Sequence, residues 1–96
     1  MYGTIAKMNA KPGAVEELSK FGNNRKPAGY VASYVFRSDN DPNEVWLVAI
    51  FKDRATYVAN ANSPEQDKEF RNLMQYLVSE PEWHDGEIVF EDNSGK

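Results

Sequence analysis

The chain has no cysteine and a single histidine, His84. A disulfide framework, a thiolate nucleophile, an iron–sulfur cluster and a cysteine-based zinc site are all excluded. One histidine permits a Ser-His-Asp triad but no multi-histidine metal site. No apolar run approaches the roughly 20 residues of a membrane span. The start, Met1-Tyr2-Gly3-Thr4-Ile5, lacks the basic residues and apolar stretch of a signal peptide. A cytoplasmic location is therefore the expectation, with no membrane partner. Positive charge is also scarce. Residues 1–48 carry six basic and five acidic side chains, and residues 49–96 carry five and ten. The one basic cluster, Lys20, Arg25 and Lys26, is diluted by Gly22, Asn23 and Asn24. A basic nucleic-acid-binding face is not expected.

What the 96 residues do contain is aromatic side chains, at 12%. That argues for a packed domain, since disordered chains have few aromatics. The length fits one domain spanning 1–96, with a thin core and a polar tail over 92–96 expected to fray. Apolar residues alternate along Tyr2–Ala10, where Tyr2, Thr4, Ala6, Met8 and Ala10 share a face. Pro12 opens a helix expected to run through Ala14 to Phe21, with Val15, Leu18 and Phe21 inward and Gly22-Asn23-Asn24 as its stop. Gly29–Arg37 alternates again, with Tyr30, Ala32, Tyr34 and Phe36 on one side. Ser38–Asn43 reads as a hairpin turn, and Glu44–Phe51 as its second strand. Asp53 caps a short helix through Ala59. Ser63-Pro64-Glu65-Gln66 is a helix start with a capping box, opening a helix over Ser63–Leu77 whose apolar stripe is Phe70, Leu73, Met74 and Leu77. Glu82–Gly86 reads as a connection and Glu87–Glu91 as the last strand.

The order β-α-β-β-α-β is the ferredoxin-like arrangement, an α+β four-stranded antiparallel sheet with both main helices on one face. Strands Gly29–Arg37 and Glu44–Phe51 are apolar on both sides. Helices cover one side only, so the other meets a second copy, a ligand, or both. A homodimer with facing sheets and a cavity is the expectation.

The residues also carry a resemblance. Lys11-Pro12-Gly13-Ala14 opens the first helix, Phe51-Lys52-Asp53-Arg54 with Tyr57 closes the third strand, and Asn60-Ala61-Asn62-Ser63-Pro64 precedes the main helix. In this order they resemble the antibiotic-biosynthesis-monooxygenase family of dimeric α/β barrels, from Tyr2 to Phe90. The resemblance implies a dimer with an apolar pocket between each sheet and its helices or partner. Some members oxidise polycyclic aromatics with O₂ and no metal or flavin; others degrade haem. Haem-degrading relatives use an Asn on the first strand and a His late in the second helix. Here Lys7 stands at the former position and Ser63–Leu77 holds no His, so no haem, and no other cofactor, is expected. The cofactor-free members are associated with a pocket Asn and Trp. Trp46 can serve as that Trp; Asn9, Asn60 and Asn62 all remain open for the Asn.

The candidate site residues follow. Trp46 either stacks on an aromatic ligand or anchors the sheet or a dimer interface. Tyr30, Tyr34 and Phe36 either line a pocket or pack across strands. His84 either acts as a general base or is a surface turn residue paired with Asp85 or Glu82. Asp53 and Arg54 either orient a substrate or belong to the helix cap. Glu80, Glu82, Asp85 and Glu87 resemble metal-binding carboxylates, but their spacing crosses a proline and a turn, and a solvated acidic edge with no metal is expected. The functional expectation is a cofactor-independent monooxygenase acting on a small aromatic or quinone-like compound. Its alternative is a non-catalytic barrel that binds a small apolar ligand.

Overall fold

In the computed structural model, which describes residues 1–18 and 26–93, strand β1 (Tyr2–Asn9) lies inside the sheet. It pairs antiparallel with β3 (Glu44–Phe51) on one side and β4 (Glu82–Glu87) on the other. Strand β2 (Tyr30–Arg37) adds to β3, giving the order β2-β3-β1-β4 of the ferredoxin-like α+β fold. The β2–β3 hairpin turn forms where Ser38–Asn43 predicts it. Asp41 Oδ1 accepts from the Asn43 N–H at 2.9 Å, and Ser38 N–H donates to Glu44 O. An Asp side chain reaching its own backbone two residues on is a standard turn device.

Helices α1 (Val15–Leu18), α2 (Arg54–Ala61) and α3 (Pro64–Met74) follow β1 and β3. Asp53 caps α2 by accepting from Thr56 N–H at 2.8 Å, and that bond holds its carboxyl below the usual Asp range. Ser63 caps α3, accepting from Gln66 N–H at 3.1 Å with Pro64 in the first turn. The core is thin, as the length requires. Ala6, Met8, Ala10, Ala14, Leu18, Val45 and Leu77 form its buried cluster, and three of these are alanines.

The structure departs from the sequence reading in four places. Between Tyr30 and Ala32 the β2–β3 register shifts, leaving Val31 unpaired as a bulge. An extra residue reverses the alternation. Tyr30 thus stands opposite Phe51 on the helix-covered face, while Ala32, Tyr34 and Phe36 occupy the other. Tyr30 and Tyr34 do not share a side.

The last strand is Glu82–Glu87 rather than Glu87–Glu91. Its place is set by the partner: β1 offers an edge from Tyr2 to Lys7, which pairs with Glu87 back to Glu82. Ile88 N–H still reaches Met1 O, but Val89 and Phe90 lie past the start of β1 and are largely exposed. Helix α3 ends at Met74 rather than Leu77. Leu77 instead bridges to Ala10, with Lys11 N–H on Tyr76 O and Val78 N–H on Asn9 O. Pro12 sits in a turn ahead of α1, not in its first turn. The expected end of that helix at Phe21, its Gly22-Asn23-Asn24 stop, and Lys20 and Arg25 lie outside the described residues.

Candidate functional site

Alternation along the strands decides what faces the helices. On β1 these are Thr4, Ala6 and Met8; on β3 Val45, Leu47, Ala49 and Phe51; on β4 Trp83 and Asp85. Opposite them, α3 presents Gln66, Glu69, Phe70 and Leu73, the spacing of one helical stripe. Sheet and stripe meet through Leu73 on the core and Phe70 against Trp83. Between them lies a half-open cavity of about 210 Å³, whose lining also takes in Leu18, Pro27 and Asn60 of α2. An engineered cavity of about 150 Å³ takes benzene, so this one has room for a substituted ring.

The walls are aromatic at two places. Tyr30 meets Phe51 edge to face with centroids 6.0 Å apart, and Phe70 tilts against Trp83 at 6.3 Å. Polar groups are few and mostly engaged. The Tyr30 hydroxyl and Ser33 Oγ are 2.8 Å apart in a hydrogen bond. Asn60 Nδ2 donates to Gln66 Oε1 at 3.2 Å. Asn60 Oδ1 and Thr4 Oγ1 are buried and have no hydrogen-bond partner. Thr4 Oγ1 lies close to the Tyr57 hydroxyl, which donates to Asp85 Oδ1 at 2.9 Å. A buried acceptor left unmade costs about 1–3 kcal/mol. Asn60 Oδ1 therefore favours a ligand that brings a donor. Among the described residues lining the cavity, Tyr30 and Glu69 are the titratable ones.

The residues singled out in the sequence divide between two places. Tyr30 lines the cavity, because of the bulge. Trp46, Tyr34, Phe36 and His84 stand on the opposite, uncovered face of the sheet. There Trp46 Nε1 donates to Glu44 Oε2 at 2.8 Å. His84 is on a strand, not a turn. It faces away from the helices across from Ile5, with Glu82 Oε2 3.6 Å from its Nε2. Of the carboxylates at 80–87, Glu82 points to the open face and Asp85 to α2. Asp53 is a cap, and the Arg54 guanidinium lies 6.0 Å from the Tyr2 ring centroid.

Of the cavity residues not singled out from sequence, three matter here: Trp83, Asn60 and, on the polar margin of the α3 stripe, Glu69. Trp83 was hidden because the segment Glu82–Gly86 reads as a polar connection. Asn60 was one of three open asparagines. Its spacing to Ser63 and Gln66, which places it at the corner between two helices, is the signal that separates it from Asn9 on the open face and exposed Asn62.

The model of one family, antibiotic biosynthesis monooxygenase, matches residues 1–72. The chain belongs to that family. The match takes in β1 to α3, with Asn60, Glu69 and Phe70, and stops before Trp83 and His84. Family folds recur in solved structures at low identity. A candidate antibiotic biosynthesis monooxygenase from Deinococcus radiodurans superposes with a TM-score of 0.78 at 11% identity, over 100% of both chains. One from Chloroflexus aurantiacus J-10-fl gives 0.76 at 20%, over 98% of each. A protein of unknown function from Nitrosomonas europaea gives 0.74 at 19%, over 99% of this chain and 95% of its own. At such identities the likeness is one of fold. No curated protein matches the chain.

Proposed function

We propose that this protein is a cofactor-independent monooxygenase that oxidises a small hydroxylated aromatic ring in the cavity between its sheet and α3. The observation that carries this reading is Asn60 Oδ1, an unpartnered acceptor in an enclosure walled by Phe70, Trp83 and Tyr30. A spectator hydroxyl of the substrate donates to Asn60 Oδ1. A second hydroxyl ionises, with Glu69 as the carboxylate at hand to take the proton. The electron-rich ring then reacts with O₂. One oxygen atom becomes a ring carbonyl and the other leaves as water. The ring C–H and the ionised O–H supply the two hydrogens, and the substrate supplies all four electrons. The protein contributes orientation and a site shielded from bulk water.

The same reading includes a homodimer. Ile5, Tyr34 and Phe36 are 48%, 62% and 53% exposed on the uncovered face, beside Trp46, Val48 and Ile50. A second sheet laid on this face would bury them. Trp46, Tyr34, Phe36 and His84 would then serve assembly rather than chemistry. The cavity lining includes no histidine, which favours a second reading: a module that binds the ring without turning it over.

Oxygen uptake with a panel of dihydroxybenzenes tests the reading. Asn60→Leu keeps the volume and removes the acceptor, and should lower kcat/KM roughly 10–100-fold, the worth of one such hydrogen bond. Saturable binding without uptake would select the non-catalytic module. Unchanged turnover in Asn60→Leu, with turnover lost in His84→Ala or Trp46→Phe, would move the site to the open face.

A further inference from the structure

We infer that the natural ligand is longer than the ring cavity and lays a short apolar substituent in an outer pocket between α2 and the Pro27–Gly29 turn. The inference rests on the reading of the inner cavity as the ring site. An outer pocket of about 220 Å³ lies against this turn. It shares Pro27 and Asn60 with the inner cavity, so the two hollows adjoin at those side chains. Thr56, Ala59, Asn60 and Ser63 give it one helical stripe of wall, and Ala28 the other side.

The chemistry of that wall selects the substituent. Thr56 Oγ1 is held by Asp53, 2.9 Å from Oδ1 and 3.1 Å from the carbonyl oxygen. Ser63 Oγ donates to Asn60 O at 2.8 Å and accepts from Gln66 N–H. Both hydroxyl protons are engaged in these bonds at the helix starts. What the wall offers a ligand is carbon: the Pro27 ring and the methyls of Ala28, Ala59 and Thr56. No charged side chain is among these lining residues. At this junction, Asn60 turns its amide nitrogen to Gln66 and leaves Oδ1 open. The ligand's donor therefore belongs where ring and chain join, which describes a phenol with an alkyl group beside its hydroxyl.

The spacing of turn and helix is built in. Gly29 has φ +81°, and a Cβ there would collide with Thr56. The turn rests on α2 through a residue without a side chain, and the pocket opens beside that contact.

Binding under nitrogen isolates this step from oxidation. Phenol and 2-propylphenol are titrated by calorimetry into the whole chain. Each buried methylene is worth up to about fourfold in affinity, so 2-propylphenol should bind the unaltered protein about tenfold or more tighter. Ala59→Leu and Ala28→Leu, both at exposed positions, fill the outer pocket from opposite sides. Each should cut that ratio to below about twofold. A ratio under twofold in the unaltered protein, with phenol bound, overturns the outer pocket and leaves the ring site standing. So does a ratio that neither substitution changes. If neither phenol binds, the ring site falls and the outer pocket with it.

Discussion

Tyr57 offers a quantitative test of how α2 is fastened to the sheet. Its ring lies between Tyr2 and Phe51, at 5.2 and 5.6 Å, and its hydroxyl donates to Asp85 on β4. Burial, and then the Asp85 carboxylate, push its phenol up to about 12. In the unfolded chain the same phenol ionises near 10. Between these values the unfolded state gives up its proton and the folded state does not, so stability must fall as pH rises. Two units correspond to at most about 2.7 kcal/mol. The ring is only half-buried and water screens Asp85, so a loss of about 1–1.5 kcal/mol is expected. Tyr57→Phe has no proton to lose there. It should start about 1 kcal/mol less stable at neutral pH for want of the hydrogen bond, and the gap should close or invert toward pH 12. Urea unfolding of both proteins, followed by circular dichroism from about pH 8 to 12, reads this directly, because lysine titration is common to both and cancels. Parallel curves across that window would refute the argument.

Two further predictions concern the backbone and the uncovered face. Gly13 and Gly29 have nearly equal φ, +79° and +81°, but a Cβ meets open space at Gly13 and Thr56 at Gly29. Gly13→Ala should cost about 1–2 kcal/mol for the backbone alone, and Gly29→Ala clearly more by urea denaturation; equal costs would mean that the turn is not pressed on α2. Sedimentation at micromolar concentration should give twice the 10.9 kDa chain mass, and Val48→Asp, which puts a charge in the middle of the uncovered face, should give the single mass with the circular dichroism unchanged.

Much of this was legible because the signals are local. Asp53 and Ser63 cap the helices they were expected to cap, since a short oxygen-bearing side chain before a helical run acts on its own backbone. The strand order followed from alternation in β1 and β3. What escaped was set by partners distant in sequence. Nothing in Glu-Trp-His-Asp-Gly-Glu announces a strand, and Ile88-Val89-Phe90 is a better strand by composition. The edge of β1 decided otherwise, and the error in β4 concealed Trp83 while placing His84 on a turn. The bulge at Val31 likewise exists only in relation to β3. It alone put Tyr30 in the cavity and Tyr34 outside it. A site enclosed by four strands and three helices is legible from sequence only as well as the least legible of them.

The position of β1 has a consequence for how the chain comes into being. This strand leaves the ribosome before the other three, yet it is flanked in the sheet by β3 and by β4, with Tyr2 opposite Glu87. Once Phe51 has emerged, β1, β2 and β3 can assemble and bring Ala6 against Leu47. One side of β1 then waits, its backbone groups unpaired, for residues 82–87. An open edge of that kind is a template for neighbouring chains, and pairing across so long a loop is slow. The residues that end the wait also supply Trp83, the missing wall of the cavity. A chain interrupted before this point thus presents β1 as an open edge and lacks that wall; with residues 82–87 in place the edge passes to a strand guarded by Glu82, Asp85 and Glu87.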